Sequence, residues 1–193
     1  MDPARPVLRR HRVAELSPEQ MRAVGTLLHR VFPDPESTVE QRLERFLATP
    51  AAREGEAFIA WDGEVPVAHA MISAREVRTP TGSLIVMALA GVYSAPERRG
   101  EGLGRLVVRA TFDEVDRGAY AVSLFQTGVP GFYDRLGART VGNPFVNSRY
   151  VPPTDGRKPR GSAEQPWWNP FVMIYPATFP WPAGTVDLLG PGY

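Results

Sequence analysis

Residues 92–104 of the chain read VYSAPERRGEGLG, and this stretch decides the fold. The apolar run Ser83–Tyr93 leads into a turn with glycines at every second position, and an amphipathic pattern begins at Leu103. A strand, turn and helix in this order leave backbone N–H groups unpaired at the start of the helix, where the helix dipole also favours negative charge. The stretch therefore predicts an anion-binding turn between a buried strand and a helix.

The residues of this turn suit a diphosphate ligand. Gly100, Gly102 and Gly104 allow the backbone to approach phosphates closely, and Arg98 and Arg99 add positive charge at the rim. The Gly-x-Gly-x-x-Gly spacing of dinucleotide-binding turns is absent, and so is the Gly-Lys-Ser/Thr of P-loops. At this point, a flexible turn that only needs small residues remains an equal alternative.

Hydrophobic periodicity predicts alternating helices and strands on both sides of the turn. Before it we expect strands over Pro6–Glu15, Glu56–Trp61, Val65–Val77 and Ser83–Tyr93, and helices between Ser17 and Pro33 and over Glu36–Ala48. After it we expect helices over Leu103–Asp116 and Pro130–Leu136, and strands over Ala119–Gln126, Arg139–Tyr150 and Phe171–Tyr175. The predicted buried stripe of the helix after the turn is Leu103, Leu106, Val107, Ala110 and Val115.

Cap and turn residues set several of these boundaries. The stretch Ser17–Gln20 (SPEQ) has the residues of a capping box with proline at the first helical position. Asp62 and Gly63 predict a two-residue hairpin turn. Gly118 and Gly137 stand where two helices are expected to end.

The composition is that of an ordinary globular protein, with 43% hydrophobic and 22% charged residues in a chain of 193. The net charge of +1 gives no reason to expect nucleic acid or an anionic membrane as a partner. No apolar run reaches the roughly 18 residues of a membrane-spanning helix, and the N-terminus lacks the apolar core of a signal peptide. We therefore expect a cytoplasmic protein.

Neither metal binding nor cysteine chemistry is expected. The chain has no cysteine, which excludes disulfides, thiolate metal sites and a cysteine nucleophile. The three histidines, His11, His29 and His69, do not have the spacing of a helical ligand pair. The sequence therefore predicts no metal site.

The composition changes near residue 150, since 10 of the 20 prolines fall within residues 144–193. We expect a core over residues 1–150 and a C-terminal extension over residues 151–193 that packs on the same domain and begins with a loop, Val151–Pro166. The aromatic residues of this extension are Trp167, Trp168, Phe171, Phe179 and Trp181. They suit the roof of an acceptor pocket or acyl tunnel, the packing of the last strand on the sheet, or a homodimer contact.

Two motifs resemble the signatures of the GNAT acetyltransferases. Arg99–Gly104 (RGEGLG) matches the family's Arg/Gln-x-x-Gly-x-Gly/Ala pattern. Residues 131–138 (GFYDRLGA) are similar to the second signature, in which a Phe-Tyr pair precedes Leu-Gly. The resemblance covers roughly residues 6–150. It implies the GNAT fold, an α/β (α+β) fold with a central mixed, mostly antiparallel sheet that is splayed around the acyl-CoA site and flanked by helices.

The resemblance also implies acetyl-CoA, or another acyl-CoA, as cosubstrate. The residues at the matching cofactor positions are Val92, Tyr93, Arg98, Arg99, Gly100, Glu101, Gly102, Leu103, Gly104 and Gln126. In this family the strand around Leu89–Val92 supplies a backbone N–H to the thioester carbonyl, and a tyrosine at the position of Tyr133 protonates the leaving thiolate. A core aromatic at position 133 and an ordinary strand-end amide at position 126 are the alternatives.

Two subgroups of the family resemble the chain in more detail. Arg117–Tyr120 and the turn at Glu97–Gly100 are similar to the aminoglycoside 2′-N-acetyltransferases. The tail, with Tyr175-Pro176 and Trp181–Gly184, resembles the end of the nodulation N-acyltransferases, which move a fatty acyl chain onto a glucosamine amine. Both resemblances imply an amino-sugar acceptor.

The general base is missing from its expected place. The aminoglycoside 2′-N-acetyltransferases carry a glutamate where this chain has Ala90, and the run Leu84–Tyr93 contains no Asp, Glu or His. A water chain that removes the proton, a base elsewhere in the chain, and an activity other than transfer to an amine all remain open. The candidates for that base are Glu76, His69 and the terminal carboxylate of Tyr193, and His69 also suits a hydrogen-bonded core residue.

Three hypotheses follow for the activity. The leading one is transfer of an acetyl group from acetyl-CoA to the primary amine of a small molecule. The tail suggests a longer-chain acyltransferase as a variant, and bulky residues around Leu89 and Phe125 would block a long chain. The third hypothesis is a non-catalytic protein that binds acyl-CoA or another ligand, which the alanine at position 90 favours.

Overall fold

The computed structural model describes residues 5–153 and 159–193. The predicted loop Val151–Pro166 therefore falls partly, at residues 154–158, outside the described residues. Within the described part of the chain, no helix combines the length and the apolar character that crossing a membrane requires. The chain contains both helices and the strands of a mixed sheet, which confirms the predicted α/β class.

The chain forms two units by its internal contacts. The first comprises Met1–Ser73 with Leu89–Asp113, and the second comprises Ala74–Ala88 with Glu114–Tyr193. Three elements have residues in both units: β3 (Val65–Thr79), β4 (Gly82–Ser94) and α4 (Leu103–Asp116). The domain boundary expected near residue 150 stays a prediction.

The first unit contains the N-terminal helices and strands. Its other elements are β1 (Val7–Arg12), α1 (Pro18–Val31), α2 (Val39–Leu47), α3 (Pro50–Glu54) and β2 (Glu56–Asp62). β1 pairs antiparallel with β2, and β2 pairs antiparallel with β3. β2 is buried from Ala57 to Trp61, as expected for a short apolar run inside a sheet.

Local residues determine the start of α1 and the hairpin between β2 and β3. The Ser17 hydroxyl accepts a hydrogen bond from Gln20 N–H at 3.2 Å, and the Gln20 side chain accepts one from Ser17 N–H at 3.0 Å. This confirms the predicted capping box. Gly63 has φ +59 in the turn that joins β2 to β3, which confirms the predicted hairpin.

The second helical region differs from its prediction. α2 begins at Val39 rather than at Glu36, because Thr38 and Gln41 form another capping box there. The separate helix α3, which periodicity does not predict, begins where the Thr49 side chain accepts a backbone N–H.

The second unit contains the remaining strands. Its other elements are β5 (Ser123–Thr127), α5 (Pro130–Asp134), β6 (Arg139–Val141), β7 (Phe145–Val146), β8 (Phe171–Tyr175) and β9 (Val186–Asp187). The strand order is β4-β5-β8-β6, with β5 parallel to β4 at Met87↔Ser123 and Ala88↔Leu124. β8 is antiparallel to both β5 and β6. The C-terminal extension thus supplies an internal strand to a mixed sheet.

The strand predicted over Ala119–Gln126 begins only at Ser123. Gly118, with φ +83, ends α4 as predicted, and Ala119 N–H donates to the Glu114 carbonyl at 2.9 Å. This bond completes a Schellman motif, which keeps the following residues out of the sheet.

The single strand predicted over Arg139–Tyr150 is wrong, because the chain turns between β6 and β7. Asn143 donates from Nδ2 to the carbonyls of Pro182, at 2.9 Å, and Gly184, at 2.7 Å. Pro144 has no N–H for a strand ladder. The turn is therefore held by a side chain that bonds distant backbone.

The buried face of α4 also differs from the predicted stripe. Val107 and Val115 are buried as predicted, but Leu106 is 38% exposed. Val108 and Phe112, which the prediction leaves out, are fully buried. Tertiary packing thus turns the buried face of the helix toward Val108 and Phe112.

Aromatic residues of the extension pack against the core of the second unit. Trp167, Phe179 and Trp181 contact a buried cluster that includes Leu124 and Ile174. For these three aromatics, the structure shows packing on the sheet.

Candidate functional site

The glycine-rich turn in the first unit has the backbone conformation that an anion site requires. A short 3₁₀ turn, Pro96–Arg98, leads into it, and Gly100 and Gly102 have φ +87 and +78. A Cβ atom at either glycine would meet no heavy atom within 4 Å in the described structure. Glycine is therefore required here by the left-handed backbone, and the space beside it is open to a ligand.

Several backbone N–H groups of this turn have no acceptor. Arg98, Arg99 and Glu101 donate to carbonyls earlier in the turn. Among the described residues, the N–H groups of Gly100, Gly102, Leu103 and Gly104 donate to no protein acceptor. Because they lie at the start of a 14-residue helix, the helix dipole adds to their attraction for a negative charge.

Arg98 stabilises the turn through two carboxylates. Its guanidinium lies 2.6 Å from the Glu101 carboxylate and 2.8 Å from that of Asp62, with the Arg98 side chain 20% exposed. The hydrogen bond from Arg98 lowers the pKa of Glu101 and keeps it ionised. The pairing also offsets a negative charge that would otherwise repel a phosphate. Arg99 is exposed and makes no ion pair within the described residues, so its charge is available to an anion.

One residue of β4 is exposed to solvent a few positions before the glycine-rich turn. Gly91 is exposed and has φ +58, whereas Leu89 and Tyr93 on either side are buried. A glycine with this backbone inside a strand marks an irregularity where another molecule can approach closely. The carbonyl of Gly91 accepts a hydrogen bond from His69 Nδ1 at 2.7 Å. Because a trans peptide directs its C=O and N–H oppositely, Val92 N–H is directed away from the imidazole.

His69 and Tyr93 form a buried pair beside this irregularity. Their rings stack with centroids 4.8 Å apart and planes 18° apart. Burial lowers the pKa of His69 to about 4 and raises that of Tyr93, so both rings are neutral at pH 7. The Tyr93 hydroxyl donates to the Val24 carbonyl at 3.4 Å. The stacking and the hydrogen bond of the Tyr93 side chain therefore do not favour its use in cofactor binding. Cofactor binding through the Tyr93 backbone stays a prediction.

His69 and Tyr93 also line a cavity of about 170 Å³ in the first unit, together with Gly91, Arg42 and apolar residues of α1 and α2. Sequence reasoning left His69 open as either a base or a hydrogen-bonded core residue, and the structure shows the hydrogen bond. It missed the cavity and Arg42, because no local pattern relates α2 to β3.

Tyr133 lies in the second unit, at the end of α5. Its ring is 5% exposed and packs on Phe125 and Phe132, with centroids 4.7 and 4.8 Å away. The Tyr133 carbonyl accepts from Ala138 N–H at 3.1 Å in a Schellman motif around Gly137, φ +89, the predicted helix end. Burial raises the pKa of the phenol, which stays protonated. The hydrogen bonds of the described residues include none that involves its hydroxyl.

The Gln126 side chain is hydrogen-bonded to the C-terminal extension through both its amide nitrogen and its amide oxygen. Its Nε2 donates to the Tyr193 carbonyl oxygen at 3.0 Å, and its Oε1 accepts from the N–H groups of Trp168, at 3.0 Å, and Asn169, at 2.8 Å. These contacts favour the role of a strand-end amide that holds the tail, and a cofactor contact by Gln126 stays a prediction.

Glu76 and Tyr193, which the sequence leaves open as the missing base, both have structural partners. Glu76 is exposed and accepts a hydrogen bond from the Ser83 hydroxyl at 2.6 Å. The Tyr193 carboxylate, the group that the sequence suggests as a base, accepts a hydrogen bond from Gln126 Nε2 at 3.0 Å. Neither arrangement favours proton abstraction from a substrate.

Comparison with known proteins assigns the family. A family model described as an acetyltransferase (GNAT) domain matches residues 12–141. The chain therefore belongs to the GNAT acetyltransferases, and the predicted fold and enzyme class are confirmed. No curated protein matches the chain.

Solved structures show the same fold. The Escherichia coli GNAT family N-acetyltransferase YhbS, in complex with CoA, is 21% identical, with 97% of this chain and 92% of that chain covered at a TM-score of 0.60. Escherichia coli ElaA is 18% identical, with 88% of this chain and 98% of that chain covered at a TM-score of 0.55. A GCN5-related N-acetyltransferase from Kribbella flavida is 20% identical over 72% of this chain, at a TM-score of 0.56. This chain spans 35% of the length of that protein. At these identities the likeness concerns the fold alone.

Proposed function

We propose that this protein is an acyl-CoA-dependent N-acyltransferase that moves an acetyl group from acetyl-CoA to the primary amine of a small molecule. The observation that carries the proposal is the set of free N–H groups at Gly100, Gly102, Leu103 and Gly104, at the start of a helix and beside open space. Four unpaired N–H donors at the start of a helix, together with its dipole, suit a diphosphate.

The residues of the turn have distinct roles in this proposal. The free N–H groups bind the diphosphate, Arg99 adds charge, and Arg98 holds the turn in shape through Asp62 and Glu101. When bound, acetyl-CoA supplies the acyl group as an activated thioester. Val92 and Leu103 contact the cosubstrate through their backbone.

Tyr133 is proposed as the catalytic donor to the leaving sulfur. Its phenol stays protonated, and its hydroxyl has no partner in the described protein that would compete for the hydrogen. A phenol in this state suits donation rather than proton abstraction.

Two features bear on the acyl group and the acceptor. Leu89, in the strand that the family resemblance places beside the thioester, is bulky and 2% exposed, and a bulky residue there favours acetyl over a long chain. The amino-sugar acceptor that the subgroup resemblances imply, and a cytoplasmic location, belong to the same proposal.

A non-catalytic acyl-CoA-binding protein is the second candidate. Ala90 favours it, because the exposed stretch of β4 carries no carboxylate. The two functions separate when CoA release is measured across a panel of amines. Tight acetyl-CoA binding without turnover on any amine would support the second candidate and reject the first.

Calorimetry with acetyl-CoA tests the site itself. Gly102→Val should weaken binding at least about tenfold, because a branched side chain enters the space of the diphosphate. Gly118→Val is the matched control, since Gly118 has φ +83, no neighbour within 4 Å and a place at the other end of the same helix. Equal affinity in the two variants would reject the turn as the cosubstrate site.

A further inference from the structure

The first unit contains a cavity that the chemistry of the glycine turn does not use. It has a volume of about 170 Å³. The apolar side chains of its wall include Met21, Val24, Leu28, Leu43, Phe46 and Met71. A cavity of roughly 150 Å³ with walls of this kind holds one benzene-sized molecule. The volume therefore matches a single apolar ring.

His69 supplies a hydrogen-bond acceptor on the wall of this cavity. The Gly91 carbonyl can only accept, so Nδ1 of His69 carries the proton and Nε2 carries a lone pair. Burial, which lowers the pKa of His69 to about 4, keeps the ring neutral. Among the described residues, Nε2 has no hydrogen-bond partner. A ligand with a single N–H or O–H donor complements this atom.

The titratable groups on the wall favour an uncharged ligand. They are Arg42, His69 and Tyr93, from α2, β3 and β4, and α1 contributes none. Arg42 donates to the Phe32 carbonyl at 2.7 Å and keeps its positive charge beside the cavity. A second positive charge in the same apolar space is disfavoured by repulsion and by desolvation. An amine therefore enters as the free base rather than as an ammonium ion.

We infer that this cavity is the acceptor subsite and takes a primary amine that bears a benzene-sized apolar group, with the free amine donating a hydrogen bond to His69 Nε2. The inference rests on the proposed acyltransferase function. Gly91 lies both in the cavity wall and in the exposed part of β4 that leads into the turn Pro96–Gly104. An amine at His69 thus lies against that strand.

The inference also accounts for the alanine at position 90. In the transfer, a C–N bond forms and the thioester C–S bond breaks; the nitrogen loses one proton and the CoA sulfur gains one, which Tyr133 is proposed to donate. The nitrogen must be neutral to attack. A cavity that favours the free base supplies this neutral nitrogen, so no carboxylate at position 90 is needed to deprotonate an ammonium ion beforehand.

An amino-sugar fits the cavity less well than an apolar amine does. Its ring hydroxyls need hydrogen-bond partners when they leave water, and the apolar wall offers few. The acceptor class inferred from the cavity therefore differs from the class that the subgroup resemblances imply.

The test compares benzylamine with glucosamine as acceptors for the full chain, with CoA release as the measured rate. We expect kcat/KM for benzylamine to exceed that for glucosamine at least about tenfold. Calorimetry without acetyl-CoA should detect benzylamine binding, and the affinity should rise as the pH approaches the pKa of its ammonium form.

Variants of the cavity wall locate the binding. Leu28→Phe fills the cavity and His69→Leu removes the acceptor atom, so each should raise KM for benzylamine about tenfold with an unchanged Kd for acetyl-CoA. His69→Gln keeps an acceptor and should recover part of the loss. Thermal unfolding identifies any variant that is not folded, and Leu28→Phe and His69→Leu test the same point independently.

The outcomes distinguish this inference from the function on which it rests. Turnover of glucosamine without binding or turnover of benzylamine would overturn the subsite and leave the transferase function in place. Absence of acetyl-CoA binding to the unmodified chain would overturn both. An unchanged KM for benzylamine in folded His69→Leu would remove His69 from the site.

Discussion

Nδ1 of His69 lies 2.7 Å from the carbonyl oxygen of Gly91, and this bond links β3 to the irregular point of β4. A Cβ atom at position 91 would lie 3.3 Å from Cε1 of the imidazole. The ring would therefore have to move by a few tenths of an ångström to admit a side chain at position 91. The same bond leaves Nε2 as the acceptor atom of the ring.

The stability of the protein should depend on His69 at mildly acidic pH. The pKa of His69 is lowered in the folded chain, so between pH 6.5 and about 4 the unfolded chain binds a proton that the folded chain does not. The free energy of unfolding therefore falls as the pH falls through this window, by about 3 kcal/mol at most. Urea unfolding at a series of pH values measures it.

His69→Gln is the matched control for this pH effect. Glutamine can donate to the Gly91 carbonyl but does not titrate. The free energy of unfolding of the variant should therefore fall less between pH 6.5 and 4 than that of the unmodified protein. Parallel curves for the two proteins would show that His69 is not held neutral by its surroundings.

Gly91→Ala should destabilise the protein more than Gly63→Ala does. The two glycines have nearly equal φ, +58 and +59, so both substitutions carry the left-handed strain of about 1 kcal/mol. Only at position 91 does the new Cβ crowd His69, whereas position 63 has nothing within 4 Å. The difference between the two changes in unfolding free energy measures the crowding, and no difference would mean that the imidazole moves freely.

Features of the fold that depend on neighbouring residues were predictable from the sequence. The capping box of Ser17 and Gln20, the turn at Gly63 and the helix ends at Gly118 and Gly137 all occur as expected. In each case one or two residues determine the backbone of the next few. The glycine turn belongs to the same group, since its backbone conformation follows from its own sequence.

Features that depend on distant residues were not predictable. The exposure of Leu106 depends on which face of α4 the rest of the protein covers. The turn at Asn143 depends on carbonyls about 40 residues further along the chain. The cavity at His69 depends on helices whose position no periodicity gives. The candidate site therefore divides into a local part, the turn, and a tertiary part, the cavity.

The pairing of Arg98 with Glu101 should matter for acetyl-CoA binding through the charge of Glu101. Arg98→Gln leaves the carboxylates of Glu101 and Asp62 unpaired, with Glu101 beside the proposed diphosphate site, and we expect acetyl-CoA affinity to fall about tenfold. In the double variant Arg98→Gln with Glu101→Gln, the repulsive charge is gone, so much of the affinity should return. Calorimetry measures all three proteins.

Arg99 provides the contrast for this experiment. If Arg99 attracts the phosphates directly, Arg99→Gln also lowers the affinity for acetyl-CoA. Adding Glu101→Gln to Arg99→Gln should then raise the affinity only by the factor that Glu101→Gln alone gives in the unmodified chain. The same recovery in both series would mean that Arg98 has no special relation to Glu101.

Tyr133→Phe should lower kcat about tenfold to a hundredfold and leave the Kd for acetyl-CoA and the stability nearly unchanged. The hydroxyl has no hydrogen-bond partner in the described protein, so its removal costs no internal contact. Tyr93→Phe is the comparison, because that hydroxyl donates to the Val24 carbonyl and its loss should appear in stability. A full kcat in Tyr133→Phe would reassign Tyr133 as a core aromatic.

Gln126→Leu distinguishes the tail-holding role of this residue from a cofactor contact. Leucine leaves the Tyr193 carbonyl and the N–H groups of Trp168 and Asn169 without their partner, which should lower the free energy of unfolding by about 2 kcal/mol. If Gln126 only holds the tail, the Kd for acetyl-CoA stays unchanged while the tail becomes more sensitive to limited proteolysis. Gln165→Leu, at an exposed position of the same extension, should change neither the free energy of unfolding nor the sensitivity of the tail to limited proteolysis. A weaker Kd for acetyl-CoA with unchanged proteolysis would instead place Gln126 at the cosubstrate.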